Sequence, residues 1–140
     1  MSEEVNEENN EENGSGNIKI VLIGEMATGK TSLINAYLGL SFSKNVDSTL
    51  TPSVSQKEIQ INDATYLINM WDTAGQEQYR SMTKIFIKGS QIVIFVYDVT
   101  KIESYNAIKD YWIEEVKDNA NDLKGIKIIF FIIFSYWNFW

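Results

Sequence analysis

The chain has 140 residues, 44% of them apolar, and a formal net charge of −7, which suits one globular domain. It contains no Cys and no His, so disulfides, thiolate zinc sites and a His general base are excluded. Acidic residues outnumber basic ones by 19 to 12, which argues against a nucleic-acid partner.

The acidity is concentrated at the N-terminus. Residues 1–17 hold six Glu and no Lys or Arg. Such a segment buries too little apolar surface to offset its chain entropy, so we predict a disordered acidic extension. It lacks the basic and apolar regions of a secretory signal, which favours a cytoplasmic location.

Apolar periodicity predicts alternating strands and helices in the rest of the chain. The predicted strands cover 18–23, 54–61, 65–71, 91–97 and 126–134. The predicted helices cover 31–40, 79–88 and 103–123. A turn at Asn62 and Asp63 joins the second and third strands into a hairpin. This order predicts an α/β fold with a mostly parallel sheet.

The segment from Gly24 to Thr31 matches the phosphate-loop pattern G-x-x-x-x-G-K-[ST], after a predicted strand and before a predicted helix. Glycines in such a loop let backbone N–H groups surround a phosphate, and the helix N-terminus adds positive potential. Lys30 then reaches the terminal phosphates, and the Thr31 hydroxyl is a suitable ligand for Mg²⁺. The loop therefore predicts a phosphate and magnesium site.

A second motif, Asp72-Thr-Ala-Gly-Gln-Glu77, follows the apolar strand that ends at Trp71. Open α/β sheets bind ligands at the carboxyl ends of their strands, where Asp72 is expected. Together with a phosphate loop, this carboxylate predicts a magnesium nucleotide site.

The hexapeptide Asp72–Glu77 resembles the switch II signature of Ras-superfamily small GTPases. Trp71, Tyr79-Arg-Ser-Met-Thr83 and Tyr97-Asp-Val-Thr100 resemble the Rab branch, and the resemblance covers about residues 17–130. It implies the P-loop NTPase (Ras-like) fold, with helices on both faces of the sheet.

The resemblance also implies roles for individual residues. Gln76, Lys30 and Thr49 would be catalytic, with Gln76 orienting the attacking water. Thr31, Thr49 and Asp72 would hold Mg²⁺, with Ser53 as the second choice for the switch I residue. The residues implied to bind nucleotide are Gly24, Glu25, Ala27, Thr28, Gly29, Lys30, Thr31, Ser32, Phe42, Thr49, Asp72 and Gly75.

The implied function is that of a Rab-like switch in vesicle trafficking, which binds GTP or GDP with Mg²⁺ and hydrolyses GTP slowly. An exchange factor, effectors and a GTPase-activating protein would bind at the switch loops, and the last would supply an arginine finger. The alternative is a truncated, non-enzymatic weak nucleotide binder or decoy that keeps only the partner-facing surface. An adenine-nucleotide P-loop enzyme is the third possibility.

Several features depart from the family's pattern. No Asn-Lys-x-Asp follows the strand 126–134, so residues 18–140 are expected to form an incomplete small GTPase domain that lacks its C-terminal part. Without Cys, the chain has no site for the lipid anchor that ties Rab proteins to endomembranes. Twelve of the last 15 residues are apolar, which predicts a buried strand.

Three aromatic positions have structural interpretations as well. Trp112 is expected in the core. Trp71 and Phe86 match two members of a hydrophobic triad that effectors contact in the family, and Val54 stands where the third member is usually Phe.

Overall fold

A computed structural model of the chain describes residues 15–41, 51–73, 80–120 and 126–133. The strands are β1 (Gly16–Ile23), β2 (Ser53–Ile61), β3 (Ala64–Asp72), β4 (Ile92–Asp98) and β5 (Lys127–Ile133). The helices are α1 (Lys30–Leu38), α2 (Arg80–Ile87), α3 (Ile102–Ala107) and α4 (Ile113–Asn119), and a π-helical turn (Ile108–Trp112) joins α3 to α4. The predicted disorder of the extension falls mainly on residues 1–14, outside the described residues, and stays a prediction.

The five strands form one sheet in the order β2-β3-β1-β4-β5. β1 pairs in parallel with β3 and β4, and β4 pairs in parallel with β5. β2 runs antiparallel to β3 as the predicted hairpin, whose turn residues Asn62 and Asp63 have φ of 46° and 61°. Both values suit the type I′ turn, which favours Asn and Asp. The mostly parallel α/β sheet is therefore confirmed.

Alternation along β1 sends its side chains into two cores, one on each face of the sheet. Val21 and Ile23 join the core on the side of α2, the π-helical turn and α4. Leu22 joins Ile34 of α1 in the other core. Trp112 is 1% exposed within the first core, as predicted.

The observed elements begin and end within two residues of the predicted bounds, except that α4 ends at Asn119, four residues before the end of the predicted helix. β1 begins at Gly16, two residues early, because Gly16 and Asn17 already lie opposite Tyr66 and Leu67 of β3. The predicted helix over 103–123 is interrupted by the π-helical turn.

The predicted burial of the last strand is wrong for the residues whose exposure the structure describes. β5 lies at the sheet edge and pairs with β4 on one side. Its apolar side chains are 40–52% exposed at Ile128, Ile129, Phe130 and Phe131. Hydropathy indicates burial only where another layer covers the strand, and the described residues leave much of this edge uncovered. In the described part of the chain, no helix combines the length and apolar content required to cross a bilayer.

Candidate phosphate and magnesium site

The phosphate loop is the turn between the end of β1 at Ile23 and the start of α1 at Lys30. Gly24 must be glycine, because a Cβ there would lie 2.1 Å from the backbone oxygen of Val96. Ala27 and Gly29 both adopt positive φ, of 59° and 91°, which folds the loop back over the helix terminus. The N-terminus of α1 therefore opens directly onto the loop, where an anion would be stabilised.

Lys30 is folded inside this loop. Its ammonium donates hydrogen bonds to the backbone oxygens of Gly24 and Glu25, at 2.8 and 2.9 Å. Burial lowers the pKa of Lys30 to about 8, against the opposing charges of Asp72 and Glu25. A bound phosphate would give the Lys30 ammonium negatively charged acceptors in place of neutral backbone carbonyls. The ammonium is therefore well placed to bind a phosphate.

Thr31 and Asp72 meet at the mouth of the loop. The Thr31 Oγ1 donates a hydrogen bond of 2.6 Å to Oδ2 of Asp72. The parallel register of β1 and β3 causes this contact, since Leu22 lies opposite Asp72 two residues before the loop begins. The two predicted metal ligands that the structure describes are therefore adjacent.

The donor set fits Mg²⁺. A hydroxyl and a carboxylate are hard oxygen ligands, and Mg²⁺ in nucleotide sites takes one or two such ligands together with phosphate oxygens and water. Among the described residues, no group of three or more Asp, Glu, His or Cys could hold a metal ion alone. Bound phosphate would thus complete the coordination.

Two buried threonines form hydrogen bonds to backbone oxygens in or next to the phosphate loop, and the sequence analysis predicted neither bond. Thr28 is 1% exposed and donates from Oγ1 to the backbone oxygen of Glu25 at 2.8 Å. Thr73 is 2% exposed and donates to the backbone oxygen of Leu22 at 2.6 Å. The first bond adds a second donor to a loop carbonyl that Lys30 also contacts, and the second ties the end of β3 to β1. Ser32 lies half-buried in the first turn of α1.

The Glu25 side chain has contacts that sequence reasoning missed. Its Oε1 accepts hydrogen bonds from Nη2 of Arg80 at 3.0 Å and from Nε1 of Trp112 at 3.3 Å. These partners lie 55 and 87 residues away. The predicted role of Glu25 in nucleotide binding stays a prediction, and its carboxylate is engaged with α2 and the π-helical turn.

The remaining predicted site residues, Phe42, Thr49, Gly75 and Gln76, lie outside the described residues, so their roles stay predictions. Ser53, the second choice for the switch I residue, begins β2 and lies opposite Asp72 in the hairpin register.

The predicted triad positions are neighbours on the sheet and α2. Val54 lies opposite Trp71 in the β2–β3 pair and is 42% exposed. The rings of Trp71 and Phe86 are 4.9 Å apart between centroids.

Comparison with known proteins agrees with this arrangement. The family model described as "Ras family" matches residues 19–132. A Ras-related protein Rab7 of Pisum sativum is 35% identical over 104 residues, covering 74% of this chain and 50% of that protein. Ras-related protein Rab-7b of Homo sapiens is 40% identical over 95 residues, covering 68% and 47% of the two chains.

A third relative, the Ras-like GTP-binding protein RYL2 of Yarrowia lipolytica, is 39% identical over 103 residues, covering 74% and 49%. The chain spans about half the length of the curated relatives it matches. The family match covers most of the chain and both motifs of the candidate site, and we conclude that the chain belongs to the Ras family as a Rab-like member.

Proposed function

We propose that this chain binds GDP and GTP with Mg²⁺ and slowly hydrolyses GTP, as a switch of the kind that acts on endomembranes in vesicle trafficking. The observation that supports this most directly is the hydrogen bond of 2.6 Å between Thr31 and Asp72, beside the buried ammonium of Lys30. Guanine is proposed as the base from membership in the family, whose relative RYL2 is described as GTP-binding.

The phosphate loop would perform most of the binding. Backbone N–H groups at the start of α1 and the Lys30 ammonium would hold the β- and γ-phosphates. The Thr31 hydroxyl and the Asp72 carboxylate would hold Mg²⁺, the latter through water. When bound, Mg²⁺ would neutralise the negative charge that develops on the phosphates as the terminal bond breaks.

Hydrolysis needs a water molecule aligned with the γ-phosphate, and positioning and charge stabilisation supply most of the rate. In the proposal, Gln76 orients that water and Thr49 closes over the γ-phosphate. The chain needs neither His nor Cys for this chemistry.

Intrinsic hydrolysis is expected to be slow for a reason visible in the structure. The chain has a single Arg, Arg80, and its guanidinium is bound to Glu25 and lies 4.8 Å from the Tyr111 ring centroid. The guanidinium is therefore already engaged by Glu25 and Tyr111, and the phosphate loop itself, residues 24–31, contains no Arg. An activating partner that supplied an arginine would raise the rate by about 10³ to 10⁵. Effectors are proposed to contact Val54, Trp71 and Phe86.

Binding of fluorescent GDP and GTP to the chain tests the proposal. Lys30→Gln should reduce affinity at least tenfold, because it removes the buried cation that faces the phosphates. Lys109→Gln is the matched control, since Lys109 is 61% exposed and its nearest carboxylate contact is 3.5 Å long. Unlabelled ATP should compete more weakly than GTP.

Equal losses in the two variants would contradict the assigned site, and stronger competition by ATP would contradict the guanine assignment. A chain that binds nucleotide but never releases phosphate in single turnover would fit the non-enzymatic binder instead.

A further inference from the structure

Three separate elements meet at one carboxylate oxygen. Glu25 lies in the phosphate loop, Arg80 is the first residue of α2, and Trp112 ends the π-helical turn. The Arg80 Nη2 and the Trp112 Nε1 both donate to the Glu25 Oε1, at 3.0 and 3.3 Å. The phosphate loop is thus connected to α2 and to the helix behind it through a single side chain.

The surroundings make this more than a surface ion pair. The side chains of Arg80 and Glu25 are only 27% and 23% exposed, so solvent screens the pair less than a fully exposed one. The Arg80 guanidinium also lies 4.8 Å from the ring centroid of Tyr111 and 5.9 Å from that of Trp112. Cation–π contact with two rings restricts the orientation of the guanidinium and directs it toward Glu25.

Two consecutive aromatic residues at the end of the π-helical turn flank the same guanidinium. The ring centroids of Tyr111 and Trp112 are 4.9 Å apart, in an edge-to-face arrangement. The π-helical turn therefore supplies both rings that lie near Arg80.

The two ends of α2 are attached differently. One turn after Arg80, the Lys84 ammonium forms an ion pair of 2.9 Å with Glu115 of α4. Ile87, at the end of α2, is fully buried in the core. Loss of Glu25 would therefore release the first turn of α2 and leave its last turn in place.

We infer that Glu25 is a positioning residue, whose carboxylate holds the first turn of α2 against the phosphate loop. Through this contact, the binding of nucleotide in the loop is transmitted to α2. The holding role concerns the chain without nucleotide. The transmission to α2 rests on the proposed nucleotide binding. It extends that proposal because α2 directly follows residues 72–79 in the chain and carries Phe86, a proposed effector contact.

Amide hydrogen exchange of the whole, nucleotide-free chain tests the holding role. The variants are Glu25→Gln, which is nearly isosteric, Arg80→Gln, and the double variant. Each single variant should exchange at least fivefold faster over 80–87, and the double variant no faster than the faster single variant, because both changes break one interaction. Exchange over 92–98 in β4 should stay unchanged.

The matched control is Glu114→Gln, which neutralises a carboxylate in an exposed pair with Lys117 and should leave 80–87 unchanged. The inference would be overturned if the exchange rate over 80–87 stayed within twofold of the parent in both single variants. It would also be overturned if the accelerations in the two single variants multiplied in the double variant. If a variant unfolds globally, exchange over 92–98 also rises. Arg80→Lys then decides, since it keeps the charge and should exchange between the parent and Arg80→Gln.

The transmission is tested by adding GDP and Mg²⁺. The parent should show altered exchange over 80–87, and Arg80→Gln, which breaks the same contact from the α2 side, should lose at least half of that change while its GDP affinity stays within threefold. An equal change in both proteins would overturn transmission. If the unsubstituted chain binds no nucleotide, both the proposed function and the transmission are refuted. The exchange measurements without nucleotide would still decide the holding role.

Discussion

Thr31 and Asp72 are 41 residues apart in the chain, and the hydroxyl of the first donates a hydrogen bond of 2.6 Å to the carboxylate of the second. One residue comes from the start of α1 and the other from the end of β3. The contact exists because β1 and β3 are parallel neighbours whose carboxyl ends lie at the same edge of the sheet. The expected magnesium position is therefore a consequence of strand order.

Asp72→Asn should remove most of the effect of Mg²⁺ on nucleotide binding. The amide is uncharged and cannot offset the metal's charge. We expect chelation of Mg²⁺ to accelerate GDP release at least tenfold in the parent and less than threefold in the variant, measured by displacement of fluorescent GDP.

Asp63→Asn is the control for that change, because Asp63 lies in the β2–β3 turn at φ 61° and Asn tolerates this conformation. A tenfold acceleration that persists in Asp72→Asn would refute the metal-holding role of Asp72.

The stability of the chain without nucleotide or metal should rise with pH above 8. The pKa of Lys30 is about 8 in the folded chain, lowered mainly by burial from an ordinary value of 10.5. Between these values the unfolded chain binds more protons, so raising the pH favours folding. The full shift in the pKa of Lys30 corresponds to about 3 kcal/mol of folding free energy. Below pH 8 the folded chain is destabilised by this whole amount.

Denaturant unfolding from pH 7 to 9.5 measures this gain, and Lys30→Met supplies the baseline for all other groups. The free energy of unfolding should rise with pH more steeply in the parent than in Lys30→Met. Parallel curves would show that Lys30 is not buried as a cation.

Gly24 and Gly39 should respond differently to substitution by Ala. A Cβ at Gly24 would meet the backbone oxygen of Val96 at 2.1 Å, so the backbone must move. We expect Gly24→Ala to lose about 3 kcal/mol of stability and most phosphate binding.

Gly39 has φ 79° and open space around its Cβ position, so Gly39→Ala should cost only about 1 kcal/mol of backbone strain and leave binding intact. Thermal denaturation and nucleotide titration distinguish the two. Similar losses of both stability and binding would contradict the steric account of the loop.

Thr73→Val should destabilise the chain by about 1 kcal/mol, because the nearly isosteric change removes the buried hydrogen bond to the backbone oxygen of Leu22. Thr65→Val, at an exposed position of β3, should change the free energy of unfolding by less than 0.5 kcal/mol. Urea denaturation compares the pair, and equal effects would show that the Thr73 bond contributes nothing.

The sequence predicted the parts of the site that depend on local chemistry. The phosphate loop is contiguous, and its positions carry recognisable residue types between a strand and a helix. Asp72 could be placed because the carboxyl ends of parallel strands share an edge. The pairing of Thr31 with Asp72 follows from those two facts together.

The Glu25 contacts could not be predicted in this way. They depend on the packing of α2 against α4 and on a π-helical turn, and helical periodicity contains no signal for either. The exposure of β5 was missed for a related reason, since the apolar residues of a strand do not reveal whether a further layer covers it.

Titration of the chain with fluorescent GDP, with and without Mg²⁺, is the strongest test of a magnesium-dependent nucleotide site built on Lys30, Thr31 and Asp72. We expect saturable binding at micromolar nucleotide or below, with an affinity that rises at least tenfold when Mg²⁺ is added. Absence of binding at micromolar nucleotide, or binding that is indifferent to Mg²⁺, would contradict it.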